Sequence, residues 1–377
     1  MQRGGGTGTH NDPYKSLSYA LSAGLQPGDV VLVAGNGTVY PYEDNGSPDP
    51  KLTTRFPLTV PAGVKVQYWD ADLSLPGVIP PPAMFRPGVG GSARCFSLSA
   101  DYPSIPVQLR GYLNANLQSI PDTNQGFEVR GFDLAVNVAF STINYGPIYQ
   151  FVIDGVRVLD CQQAIRIEAD PYNFQGLVQR CYFRVSPLGG ASLPIAQLIE
   201  VLVADNPDNG PKTSKLTLQS VDVRTKDAPL QSSMITADVR YQADDFFELE
   251  LKNCVINGRT DQPTIPTTSP TPIRGAGIEF VLHGQAHGRL EIENTRIQDC
   301  EGDGAFAVAE GIASVGDFYS SYSTFEDNGD GQPYPTVLSS GIMFGESGVH
   351  LAILEGGRWN VVDVDRSHHR INYQHGM

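Results

Sequence analysis

Apolar and polar residues alternate in short runs through the second half of the chain, and the runs repeat. Leu249-Glu250-Leu251-Lys252-Asn253-Cys254-Val255-Ile256 matches Leu290-Glu291-Ile292-Glu293-Asn294-Thr295-Arg296-Ile297 almost position for position. The segments 216–223 and 151–158 follow the same template, and looser copies end at Phe183, Phe325 and Trp359. The shared pattern is apolar-x-apolar-x-polar/Gly-small-x-apolar. Its last position falls at Val158, Phe183, Val223, Ile256, Ile297, Phe325 and Trp359, about 34 residues apart on average. Period-two alternation predicts strands, and the polar or glycine residue after the second apolar position predicts a bend between two of them.

A fixed strand that recurs with insertions of variable length predicts a coil that adds one turn per repeat. Most repeats carry a further apolar run upstream, at 164–167, 198–201, 278–281 and 341–344. No repeat holds an amphipathic helix, which disfavours leucine-rich horseshoes and α/β barrels. The shorter repeats cannot supply the four strands of a propeller blade. The fold predicted is all-β, a right-handed parallel β-helix solenoid forming one domain over 1–377.

The N-terminal segment 1–40 predicts a short capping helix and a first strand. Asp12 is the expected N-cap and Pro13 the first helical residue. Tyr14, Leu17, Ala20 and Leu21 make one apolar face, and Gly24 ends the helix. Such a helix covers the unpaired ladder that a coil of strands exposes at its end. Residues 41–150 are Pro-rich and read as ragged early turns with long loops, 151–362 as regular turns, and 363–377 as a tail.

The opening resembles that of secreted parallel β-helix proteins, which include bacterial polysaccharide lyases and the domains of unknown function attached to them. The resemblance is carried by Gly6-Thr7, Asp12-Pro13-Tyr14-Lys15-Ser16-Leu17, Ala20-Leu21, Pro27-Gly28-Asp29-Val30-Val31 and Gly37-Thr38-Val39-Tyr40. It covers about 35 residues and implies the fold and an extracellular or cell-surface setting. It leaves activity open, because one scaffold hosts many functions.

Composition narrows the partners. The chain has 377 residues, 41 acidic against 26 basic, and a net charge of −15. No basic stripe is available to neutralise phosphates, which argues against a nucleic-acid ligand. No apolar run is long enough to span a membrane. The start, Met1 to Gly6, lacks the apolar run of a signal peptide, so export requires a leader removed from, or replaced in, this sequence.

Candidate chemistry sits in the turns after each repeat's last position. Stacked coils lie about 4.8 Å apart, which lines up Lys226, Arg259, Asp299 and Asp327 along one edge. Glu301, Asp303 and Asp330 follow closely. Oxygen ligands from Asp299, Glu301, Asp303, Asp327 and Asp330 suit Ca²⁺. In a polysaccharide lyase such a cation neutralises a uronate carboxylate while a base, here Lys226 or Arg259, removes the neighbouring proton. Tyr319, Tyr322 and Tyr334 are the candidates for stacking on sugar rings. The expected partner is a polysaccharide or cell-surface glycan. A non-catalytic adhesin or fibre module is the competing reading, and a phage tailspike-like depolymerase a third.

The same turns are rich in Asp, Asn and Gly for structural reasons alone. Asp299 with Asp327, or Glu301 with Asp303, also qualifies as a hydrolase pair, but Asp244-Asp245 has no Gly-His-Gly partner. The Arg-x-Pro-x-x-Arg element of one pectate lyase group is absent as well. His283 and His287 flank a predicted tight turn, so their spacing does not make a helical zinc pair. The Pro/Thr-rich excursion 262–272 lies between strands. Cys161, Cys181, Cys254 and Cys300 are predicted to be reduced, since the repeat places Cys181 two coils from Cys254, and Cys161 four from Cys300, beyond disulfide reach.

Overall fold

The computed structural model describes residues 8–9, 14, 16–34, 39–41, 56–69, 82–87, 94–111, 126–140, 148–169, 173–185, 198–203, 213–225, 233–240, 245–258, 275–300, 302–326, 328 and 348–370. Their strands form three parallel sheets of ten, ten and nine strands. In each sheet, neighbours are every third strand in the chain. That order is a coil of three strands repeated along an axis, a parallel β-helix.

Successive coils begin with the first-sheet strands Val30–Ala34, Lys65–Trp69, Val107–Arg110, Ile148–Asp154, Asn173–Gln179, Thr213–Gln219, Phe246–Lys252, His287–Glu293, Val315–Ser321 and Arg358–Asp365. The repeat's last position lies in the second sheet. Val158, Phe183, Val223, Ile256, Ile297 and Phe325 stack in one column, as predicted. Trp359 does not belong to it. His369 pairs with Phe325, while Trp359 sits in the first sheet opposite Gly316. There its ring fills the space a Cβ on Gly316 would take.

The bend after the first sheet follows directly from the template. Its polar/Gly position reads Gly155, Arg180, Ser220, Asn253, Asn294, Tyr322 and Arg366, all at positive φ between 45° and 67°. One left-handed residue turns the chain sharply enough for the next residue to re-enter a strand. The Asn294 side-chain amide donates to Asn253 Oδ1 at 2.6 Å, tying adjacent bends together.

The small position that follows points inward. Cys181, Cys254, Thr295 and Ser323 are all buried. Each donates its thiol or hydroxyl to the carbonyl two residues earlier: Cys181 to Gln179 (3.2 Å), Cys254 to Lys252 (3.4 Å), Thr295 to Glu293 (2.9 Å) and Ser323 to Ser321 (3.0 Å). In return, the Cys254 amide donates to Thr295 Oγ1 and the Thr295 amide to Ser323 Oγ, both at 3.2 Å. Buried backbone groups freed by the bend thereby keep partners.

All five cysteines are free and buried. Burial pushes the Cys161, Cys181 and Cys254 thiols up to about 12, far from the reactive thiolate range. Alkylation of the native protein without reductant is expected to add no label over an hour. In denaturant, intact mass is expected to show five labels, and a shortfall there would mean that some cysteines are oxidised.

The N-terminal end is covered by a helix, shorter than predicted. It spans Leu17–Leu21 and buries Leu17, Ala20 and Leu21. Its N-cap is Ser16, whose Oγ accepts the Tyr19 amide at 3.3 Å. Tyr14 therefore precedes the helix, and Asp12 and Pro13 lie outside the described residues, as do 262–272 and 341–344.

Candidate functional site

Among the predicted site residues, Lys226, Arg259, Glu301, Asp327, Asp330 and Tyr334 lie outside the described residues. Asp299 and Asp303 are described, and each has a local role. Asp299 occupies a left-handed bend (φ 55°) leading to the third sheet, and accepts from the Gln298 side chain at 2.8 Å. Asp303 is fully buried, 3.4 Å from His350 Nδ1. Residues 225 and 258, just before Lys226 and Arg259, are neighbours across two coils, since Thr225 Oγ1 donates to the Gly258 carbonyl at 2.9 Å.

Tyr319 and Tyr322 lie on the side of the first sheet, a whole second-sheet strand away from Asp299. Tyr322 is the left-handed bend residue of its coil, and Arg366 covers it: the guanidinium lies 5.3 Å from the ring centroid and donates to the hydroxyl at 2.6 Å. Tyr319 points outward from the first sheet, where it meets a cluster the sequence reading missed.

That cluster covers the outer face of the first sheet over the sixth to ninth coils. Outward positions in register read Lys215, Glu248, Arg289, Asp317 in one column. The next column reads Thr217, Glu250, Glu291, Tyr319, and a third Gln219, Lys252, Glu293, Ser321. Lys215 Nζ is 2.8 Å from Glu248 and 3.1 Å from Glu250, and Lys252 Nζ is 2.6 Å from Glu250. Thr217 donates to Glu250 at 2.9 Å. The Arg289 guanidinium lies 5.1 Å from the Tyr319 ring centroid and 5.8 Å from that of Phe246.

These contacts fix the charge states. Burial raises the Glu250 carboxyl, but hydrogen bonds from Lys252 and Lys215 outweigh it and hold the group below the ordinary range. Burial lowers Lys215, but Glu248 and Glu250 bring it above its ordinary value, and Lys252 is raised chiefly by its bond to Glu250. Both lysines therefore stay protonated and serve as donors, not proton-abstracting bases. Carboxylate oxygens of Glu248, Glu250 and Glu291 lie within 4.8 Å of one another. A Ca²⁺ ion does not fit there as the side chains stand, because two ammonium groups already occupy oxygens of Glu248 and Glu250.

The third sheet carries a second ionisable cluster. His283 begins the tight turn predicted for it, with its carbonyl accepting the Ala286 amide at 3.0 Å. Its ring bridges two carboxylates, Asp238 at 3.3 Å and Glu310 at 3.2 Å. Burial raises Asp238, but His283 and Arg240 outweigh it and lower the group to about 2. Glu279 is raised by burial despite a 2.7 Å hydrogen bond from Ser233.

The signal for the first-sheet cluster was present in the aligned repeats. Its second and third columns occupy the x positions of the template, and its first column the residue just before the template begins. No protein-family model, curated protein or solved structure matches the sequence. No helix among the described residues is long and apolar enough to cross a membrane.

Proposed function

We propose that this β-helix is an exported, glycan-directed protein that holds a polysaccharide along the outer face of its first sheet. The observation that supports this reading is the register itself. Glu250, Glu291 and Tyr319 follow one another at successive coils, flanked by Lys215, Lys252 and Arg289. A linear polymer of hydroxylated rings matches such a surface, with donors and acceptors at intervals of about 4.8 Å along the axis. Tyr319 offers an apolar ring for sugar C–H groups, with the Arg289 guanidinium 5.1 Å from its centroid.

Binding to a panel of neutral and acidic polysaccharides tests it. Tyr319→Ala and Glu291→Gln are each expected to weaken the preferred glycan about tenfold, which is about 1.4 kcal/mol. Absence of binding across the panel would favour the structural-module reading.

A catalytic version has one supporting observation, the adjacency of Thr225 and Gly258 immediately before Lys226 and Arg259. If those two residues act as a lyase pair with Ca²⁺, uronate polymers yield an unsaturated, ultraviolet-absorbing product that Lys226→Ala and Arg259→Ala abolish. Product formation unchanged in both variants would remove them from the reaction.

A further inference from the structure

On the outer face of the second sheet, one column reads Arg130, Leu159, Arg184 and Arg224 over the third to sixth coils, and Arg86 ends the neighbouring second-coil strand. Four guanidinium groups in five coils are a concentration that the composition does not suggest, with 26 basic residues against 41 acidic. Like charges directly opposite on paired strands are destabilising, so each arginine needs a counter-charge.

Two of them have one. Asp222 holds Arg224 through two hydrogen bonds of 2.7 Å. Glu128 and Asp160 lie 3.4 and 3.5 Å from Arg130. Arg184 differs: it pairs in register with Arg224, and no ion pair to it is found among the described residues. Its Nε is shielded from solvent and has no acceptor. Two residues earlier on the same face stands Tyr182, 8% exposed, with the Arg224 guanidinium 5.9 Å from its ring centroid. Leu159, the column neighbour of Arg184, is buried and packs with Tyr182. The result is an apolar patch beside two arginines paired in register, of which Arg224 is held by Asp222.

We infer that Arg184 and Arg224 form an oxyanion-binding site for a sulfate, phosphate or carboxylate group carried on a glycan. The two terminal nitrogens of the Arg184 guanidinium match such groups with two parallel N–H donors. Arg224, already held by Asp222 through Nε and Nη2, adds positive charge beside them, and a bound anion relieves the repulsion between the paired arginines. The site stands on the second-sheet geometry alone. Only the glycan as carrier of the oxyanion rests on the function proposed above.

Thermal unfolding in sodium sulfate, against sodium chloride at equal ionic strength, tests the site. Sulfate is expected to raise Tm saturably, by about 4 °C once it exceeds its Kd about a hundredfold. Arg184→Gln is expected to remove that rise. In low salt without sulfate, the variant is expected to melt at or above the wild-type temperature, because a like-charge neighbour is gone. An arginine with a purely structural role would instead lower Tm when replaced. A sulfate shift no larger than that of chloride, or one retained in Arg184→Gln, would overturn the site. Binding of dextran sulfate and polygalacturonate, compared with dextran, tests the carrier. Polyanion binding tighter than sulfate itself and lost in Arg184→Gln supports a glycan, whereas no gain over free sulfate overturns that part. Tyr319→Ala leaves the sulfate readout unchanged, which separates this site from the first-sheet surface.

Discussion

Phe247→Ala is expected to destabilise the protein by about 3–5 kcal/mol, at the upper end for a single core truncation. Phe247 is fully buried, and its ring sits between those of Phe174 and Phe280, both with centroids 6.2 Å away. The stack depends on small residues in the adjoining coils. In the inward column of the first sheet, Ser214 precedes Phe247 and Gly288 follows it. A Cβ on Gly288 would meet Phe280 Cζ at 2.9 Å and Leu282 Cδ2 at 2.6 Å. Large and small residues thus interlock from coil to coil, and backbones fixed by ladders on both sides cannot collapse into the hole that alanine leaves. The denaturant midpoint at unchanged m-value is the measurement. A loss below 1 kcal/mol would show that neighbouring rings refill the space.

Arg180→Ala carries the second-largest expected effect, about 3 kcal/mol. Its partner Asp154 is 1% exposed, and Arg180 binds it through Nε at 2.8 Å and through a second, shorter contact to its other oxygen. Removing the arginine leaves a carboxylate in the wall of the coil whose remaining side-chain donor, among the described residues, is the Gln179 side-chain amide, 3.0 Å away. An uncompensated buried charge is what makes such losses large. The double variant Asp154→Ala/Arg180→Ala is therefore expected to be less destabilised than the sum of the two singles. Strict additivity in that cycle would mean that the pair contributes nothing as a pair.

The sequence alone made the later coils legible and left the earlier ones hidden, for a structural reason. From the fourth coil to the ninth, the first-sheet strand passes into the second through one or two residues, such as Gly155 or Asn253 with Cys254. The whole eight-residue template is then continuous. In the second and third coils, 13 and 16 residues separate Trp69 from Ala83 and Arg110 from Phe127. The template is cut in two, yet Phe85 and Val129 occupy the same inward column as Val158.

Trp359 was misplaced because an aromatic residue one repeat-length after Phe325 satisfies spacing, while only pairing reveals that it faces Gly316. The candidate site was legible only in part. Asp299 and Asp303 are close in sequence, but a bend lies between them and one becomes a bend residue, the other a buried partner of His350. The carboxylates that do converge, Glu248, Glu250 and Glu291, lie up to 43 residues apart. Only stacking the repeats at their polar positions brings them together.

The strict pairing of each coil with the next makes every outer face a ruler. A residue's position is given by its coil number and its place in the strand, so adding one coil lengthens all three faces by about 4.8 Å without altering any other coil. The length of each face is therefore set by a count of coils. Growth or loss of whole coils changes the length of a face, while single substitutions change the chemistry at one place on it.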